Sequence, residues 1–144
     1  MQSCTYAIAD IHGNYKALHR ALSVIEKHRG GRYAALVNDN VDVTLSDTIV
    51  FTGDYVDRGY DSNKVLDCLA NNDVVAMTGT KYGLIKPVYL LGNHDDVFKT
   101  LLKCYEKHDN NSYHLSRDID FKIAKQFYSQ YGGANTDLGY MIAN

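Results

Sequence analysis

The chain has 144 residues and a formal net charge of -2, with 15 Lys and Arg against 17 Asp and Glu. That length suits one modest domain, and the scattered basic residues leave neither a nucleic-acid footprint nor a polybasic membrane patch. The start "MQSCTYAIADIHG" has no basic flank of a signal peptide, no apolar run approaches the roughly 18 residues of a bilayer span, and three cysteines without CxxC spacing read as reduced packing residues, so the expectation is a cytoplasmic protein.

In chain order, "CTYAIA" (Cys4–Ala9) predicts a short strand. Ala17/Leu18, Ala21/Leu22 and Ile25 recur every four residues, as one helix face requires, and Gly30-Gly31 are expected to stop that helix. "RYAALVNDNVDVTLSD" allows a hairpin turning at Asn38–Asn40. "TIVFT" (Thr48–Thr52) predicts the second strand. Asp61 or Ser62 then caps a helix carrying Val65, Leu66 and Leu69. "VVAMTGTKYGLIKP" allows another hairpin turning near Gly79–Lys81, and "VYLL" (Val88–Leu91) predicts the third strand. Two further helical stripes follow: Val97/Phe98, Leu101/Leu102 and Tyr105, then Ile123/Ala124, Phe127/Tyr128 and Tyr131, ending at Gly132-Gly133. No linker or repeat divides the chain, so residues 1–144 read as one domain. Alternating strands and helices predict an α/β sheet layered with helices.

Each strand exits into the same kind of sequence: "DIHGN" (Asp10–Asn14), "GDYVDRG" (Gly53–Gly59) and "GNHDD" (Gly92–Asp96). In open α/β sheets ligands collect beyond the carboxyl ends of the strands, which places Asp10, His12, Asp54, Asn93 and His94 along one rim. Asp10, Asp54 and Asp57 packed there would repel one another and lose hydration, each at a cost of several kcal/mol if uncompensated. One Arg cannot neutralise all three, whereas divalent cations would. Mixed carboxylate, imidazole and amide-carbonyl donors suit Mn, Fe or Zn better than Ca or Mg. On an extended segment Asp10 and His12 would point the same way and reach one ion. Gly53 and Gly92, each just ahead of a ligand, allow close backbone approach. Taken singly these motifs have ordinary readings as turns, helix caps and a surface Asp57–Arg58 ion pair; their order on three strand exits favours chemistry.

The ordered set "DIHG", "GDYVDRG" and "GNHD" resembles the phosphoprotein phosphatase branch of the calcineurin-like metallophosphoesterases, over Ala7 to about Tyr140. "GGANTDLGY" (Gly132–Tyr140) is similar to a Gly-Gly/Thr/Tyr segment of bacterial and phage members. The resemblance implies a layered β-sandwich flanked by helices, of which this chain is the N-terminal part. It implies two metal ions, Mn foremost with Fe or Zn as alternatives. Asp10 and His12 would bind the first, Asp54 would bridge both and Asn93 would bind the second. His94 would act as the general acid oriented by Asp57, and Arg58 would hold the phosphate. The implied reaction is hydrolysis of phosphomonoesters, foremost on phosphoserine or phosphothreonine of a protein or on a small phosphoester, by in-line attack of a metal-bridging hydroxide. Arg58 would offer a planar fork matched to phosphate oxygens, and the His–Asp hydrogen bond would fix one tautomer.

The sequence departs from the family pattern in several places. The family draws two further His ligands from beyond the Gly-Gly region, so the domain is expected to be incomplete at its C-terminal end or to have a defective second site. His108 and His114 are the candidate substitutes, although both read more simply as surface residues. Leu91 stands where protein phosphatases of the family tend to have Arg, and Tyr60 where many members have Pro. Two other functions stay open: symmetrical diadenosine tetraphosphate hydrolysis, against which Asp57 argues, and a non-catalytic binding module.

Overall fold

The computed structural model describes residues 3–39, 44–133 and 136. The order of elements is β1 (Thr5–Ile8), α1 (Tyr15–Asn38), β2 (Leu45–Phe51), α2 (Ser62–Ala70), α3 (Asp73–Met77), a 3-10 turn at Thr80–Tyr82, β3 (Gly83–Tyr89), α4 (Asn93–Lys107), α5 (Ser112–Leu115) and α6 (Ile119–Gln130). Among the described residues the strands form one parallel sheet in the order β1-β2-β3. The α/β architecture expected from the alternation is therefore present, as a three-stranded sheet flanked by helices.

Parallel pairing has a direct consequence for function. Ile8 pairs with Phe51, and Phe51 pairs with Tyr89, so the three strands end on one row. All three acidic exit loops must then leave the sheet at the same edge. Strand β2 alternates strictly, burying Leu45, Asp47, Ile49 and Phe51 on one face. Against that face pack Leu18, Leu22 and Ile25 of α1, Val65, Cys68 and Leu69 of α2, and Val74 of α3. A second apolar cluster joins Leu101 and Cys104 of α4 to Phe121, Ala124 and Tyr128 of α6, with Phe98 packed against both clusters. Cys68 and Cys104 are free thiols inside these clusters, and burial pushes both thiols up.

The structure corrects three sequence expectations, and one residue accounts for most of the difference. Helix α1 does not stop at Gly30-Gly31 but runs on to Asn38, so the first hairpin does not form at its proposed start; Asn40 of its turn lies outside the described residues. Two helical glycines cost about 1 kcal/mol each. Arg29, 0 % exposed in this helix, outweighs them by binding Asp47 Oδ2 through Nε at 2.8 Å. Its Nη1 donates to the carbonyls of Thr78 and Gly79, and its Nη2 to those of Gly83 and Leu84. The same guanidinium replaces the second hairpin: it gathers the carbonyls between α3 and β3, and β3 begins at Gly83, five residues before the predicted strand, in parallel pairing with β2. Local composition carries no trace of a donor 50 residues away.

Candidate functional site

The exit loops of β1 and β2 are held in backbone conformations that L-residues seldom adopt. Asp10, His12, Asp54, Asp57 and Arg58 all have positive φ, between 45° and 71°. Such residues are a few per cent of non-glycines and cost of order 1 kcal/mol or more each, so their concentration in two loops marks a site that the surrounding fold enforces. It also corrects one expectation. The Asp10–His12 segment lies past the end of β1 and is not extended, so the alternation of a strand does not aim these two side chains. Close approach at Gly53 and Gly92 is as expected: a Cβ on Gly53 would collide with the Gly92 backbone, and one on Gly92 with the Asp54 carboxylate.

Among the described residues, one group of His, Cys, Asp or Glu side chains is arranged to hold a metal ion: His12, Asp54 and His94, whose ligand atoms lie within 4.8 Å of one another. Hydrogen bonding fixes how two of them face. The Nδ1 of His12 lies 3.0 Å from the carbonyl of Val56. A carbonyl only accepts, so Nδ1 carries a proton, and in the neutral imidazole Nε2 then presents its lone pair. That lone pair faces Asp54 Oδ2 at 3.9 Å. In that neutral form Nε2 and Oδ2 are two acceptors facing one another, an arrangement that suits a cation between them, and the nitrogen and oxygen donor set fits a divalent transition ion. The other Asp54 oxygen, Oδ1, accepts the backbone N–H of His94 at 3.1 Å, in the first turn of α4.

His94 is 2 % exposed, and its Nδ1 meets Asp57 Oδ2 at 2.8 Å inside the fold. The ionised carboxylate only accepts, so Nδ1 is again the protonated nitrogen and Nε2 is the atom left for chemistry. The ring stands edge to face with His12 at 4.8 Å between centroids. Phe127 of α6 and Tyr131, which follows that helix, also stand edge to face with it at 5.5 and 6.3 Å. Arg58, Asp10, His12 and Tyr60 line one cleft of about 480 Å³ together with Gly13, Asn14 and Asp61. Asn93 is exposed at the head of α4, next to His94. The arrangement thus brings Asp10, His12 and Arg58 to one cleft, and sets His94 between Asp54, which accepts its backbone N–H, and Asp57, which accepts from its ring.

His108 and His114 do not join this group. His108 Nε2 pairs with Asp118 at 2.8 Å and its ring stacks on His114, both beyond the last turn of α4. Asp61 holds the capping position of α2 but makes no side-chain cap; its carboxylate takes Lys64 Nζ at 2.6 Å instead.

Two contributors are not assigned by sequence reading. Asp95, taken at most for a helix cap, does accept the backbone N–H of Gly92, but the same carboxylate reaches across to the N–H groups of Asp54 and Tyr55 at 2.7 and 2.8 Å. It staples the β3 exit to the β2 exit. Its position three residues after Gly92 was the only signal, and that spacing specifies a cap, not a partner 41 residues away. Thr136, in the segment beginning Gly132-Gly133, contacts Asp57; nothing local to that segment indicates this.

Comparison with curated proteins and with solved structures gave no match. The family model for calcineurin-like phosphoesterase matches residues 5–140, a span that includes all three exit loops. By that match, the chain belongs to the calcineurin-like phosphoesterase family.

Proposed function

We propose that this protein is a metal-dependent phosphomonoesterase of the serine/threonine protein phosphatase type. Family membership supports hydrolysis of phosphoric esters. The observation that carries the reading to a mechanism is the approach of His12 Nε2 to Asp54 Oδ2 at 3.9 Å beside His94, at the edge of a cleft lined by Arg58.

Following the resemblance, Asp10, His12, Asp54 and Asn93 would hold the metal, and His94 Nε2, the third atom of the His12–Asp54–His94 group, would be kept for the proton. When bound, divalent ions polarise phosphoryl oxygens and lower the pKa of coordinated water. The chain's own residues do the rest. Arg58, on the cleft wall, offers paired N–H donors to the two outer phosphate oxygens, which orients the ester. Asp57 fixes the His94 ring so that Nε2 is the nitrogen available to the reaction. A proton held there passes to the ester oxygen as the P–O bond breaks, so the leaving group departs as an alcohol and not as an alkoxide. Phe127 and Tyr131 keep solvent from the buried side of that imidazole. Asp57 also supports monoester hydrolysis over cleavage of a dinucleoside tetraphosphate, because family members with the latter activity tend to lack an Asp at this place in the motif.

The test is hydrolysis of a phosphoserine peptide, p-nitrophenyl phosphate and diadenosine tetraphosphate by the purified chain, with and without Mn. We expect metal-dependent turnover of the first two and its loss in His94→Ala and Asp54→Asn. Preference for the tetraphosphate, or no metal-dependent turnover of any of the three, overturns the reading.

A further inference from the structure

We infer that Thr136 is a positioning residue for the Asp57–His94 pair, acting as the middle link of a chain of hydroxyl donors that begins at Ser62. The inference rests on the proposed role of His94.

The geometry determines where each proton lies. Thr136 Oγ1 accepts the backbone N–H of Asp57 at 2.8 Å and donates its own proton to Asp57 Oδ1 at 2.7 Å. A hydroxyl has one proton, so the third contact, to Ser62 Oγ at 3.1 Å, must be a donation from Ser62. The order of donation is Ser62 to Thr136 to Asp57 Oδ1, while Asp57 Oδ2 accepts from His94 Nδ1. Thr136, Asp57 and Ser62 are each 0 % exposed. In such a water-poor setting aligned hydrogen bonds reinforce one another, and a carboxylate with a donor on each oxygen cannot rotate without losing one. Asp57 is therefore locked in the orientation that meets His94.

The two glycines ahead of Thr136 acquire a reason. Gly132 has φ +94°, and its carbonyl accepts the backbone N–H of Arg58 at 3.1 Å. A Cβ there would press on Arg58, and one on Gly133 would collide with the Tyr128 ring. Only a chain without side chains at both positions can pass between that ring and the Asp57–Arg58 loop, and so deliver a hydroxyl to Asp57 from 79 residues away. The Gly-Gly-x-x-Thr spacing thus couples the end of α6 to the chemistry at the end of β2.

The test compares Thr136→Val, which keeps the shape and removes the hydroxyl, with Thr136→Ser, which restores it. Two readouts are used: kcat and KM on phenyl phosphate and p-nitrophenyl phosphate with Mn, and the NMR resonance of the His94 Nδ1 proton, which requires no turnover. Phenolate is the poorer leaving group and depends more on proton donation. We expect Thr136→Val to lower kcat on phenyl phosphate about tenfold or more, to lower it on p-nitrophenyl phosphate by less than about threefold, and to leave KM unchanged. The His94 Nδ1 resonance should shift or broaden, and Thr136→Ser should return both readouts to wild type. If Thr136→Val does not fold by circular dichroism, Ser62→Ala, which removes the first donor and leaves Thr136 in place, should move both readouts in the same direction by less. Equal losses on both substrates, or an unmoved resonance, overturn the inference. A wild-type chain without metal-dependent turnover overturns the proposed function instead, and the resonance alone then decides the role of Thr136.

Discussion

Asp95 Oδ2 accepts the backbone N–H of Asp54 at 2.7 Å, joining the first turn of α4 to the exit of β2 across 41 residues. The same carboxylate takes two further backbone N–H groups, from Tyr55 and Gly92, while it is almost wholly buried. It is the anchor that sets Asp54 against His94.

Removing that anchor should damage both the fold and the site. Each charge-assisted bond contributes about 1.5–3 kcal/mol, and one buried and two partly buried N–H groups would be left unpaired. Asp95→Ala is therefore expected to lower the unfolding free energy by about 3 kcal/mol or more, with Asp95→Asn, which keeps one acceptor, losing less. Urea unfolding checks this. Equal stability of Asp95→Ala and wild type would contradict the anchoring role.

Metal binding should stabilise the native state without reference to turnover. A ligand that binds only the folded chain contributes about 2.7 kcal/mol at a hundred times its dissociation constant. Mn is expected to raise the melting temperature of the wild type and a chelator to reverse the effect. Asp54→Asn and His12→Ala should abolish the shift while leaving the melting temperature of the metal-free chain within a few degrees. A shift of equal size in Asp54→Asn would remove that carboxylate from the site.

The buried ion pair under the sheet predicts acid sensitivity. Burial pushes the Asp47 carboxyl upward, but hydrogen bonds from Arg32 and Arg29 outweigh it and hold the group below the ordinary Asp range. A carboxyl depressed in the folded state stabilises fully above its unfolded value of about 3.9, and that contribution fades as pH falls through the lower folded value. Unfolding free energy should thus drop below about pH 4. Arg29→Ala should cost about 3 kcal/mol or more at neutral pH, since it removes the donor to Asp47 Oδ2 and to the carbonyls of Thr78, Gly79, Gly83 and Leu84, while Arg32 still pairs with Oδ1. Denaturant titrations at pH 7 and pH 3 measure both effects.

Tyr55 predicts the alkaline limit. Burial, with the Asp95 carboxylate adding to it, pushes its phenol up to about 12; the hydroxyl donates to the carbonyl of Leu90 at 2.7 Å. A phenol raised in the folded state stabilises fully below the unfolded value of about 10, and the contribution is lost as pH rises towards 12. Ultraviolet titration should find a tyrosine that resists ionisation until the chain unfolds, and Tyr55→Phe should remove part of the stability lost between pH 10 and 12.

The sequence by itself determined the alternation of strands and helices and the three acidic exits, because period-two and period-3.6 patterns are local and the motifs are contiguous. It also determined the close approaches at Gly53 and Gly92, since absence of a side chain is written in one letter. Only the tertiary structure decided which way the loops turn and what locks them. Asp10 and His12 take left-handed backbone that no alternation rule foresees, α1 runs through two glycines because Arg29 reaches Asp47, and Asp95 and Thr136 act on partners 41 and 79 residues away. Those contacts arise from parallel pairing that ends Ile8, Phe51 and Tyr89 on one row, a long-range register that no local window of sequence contains.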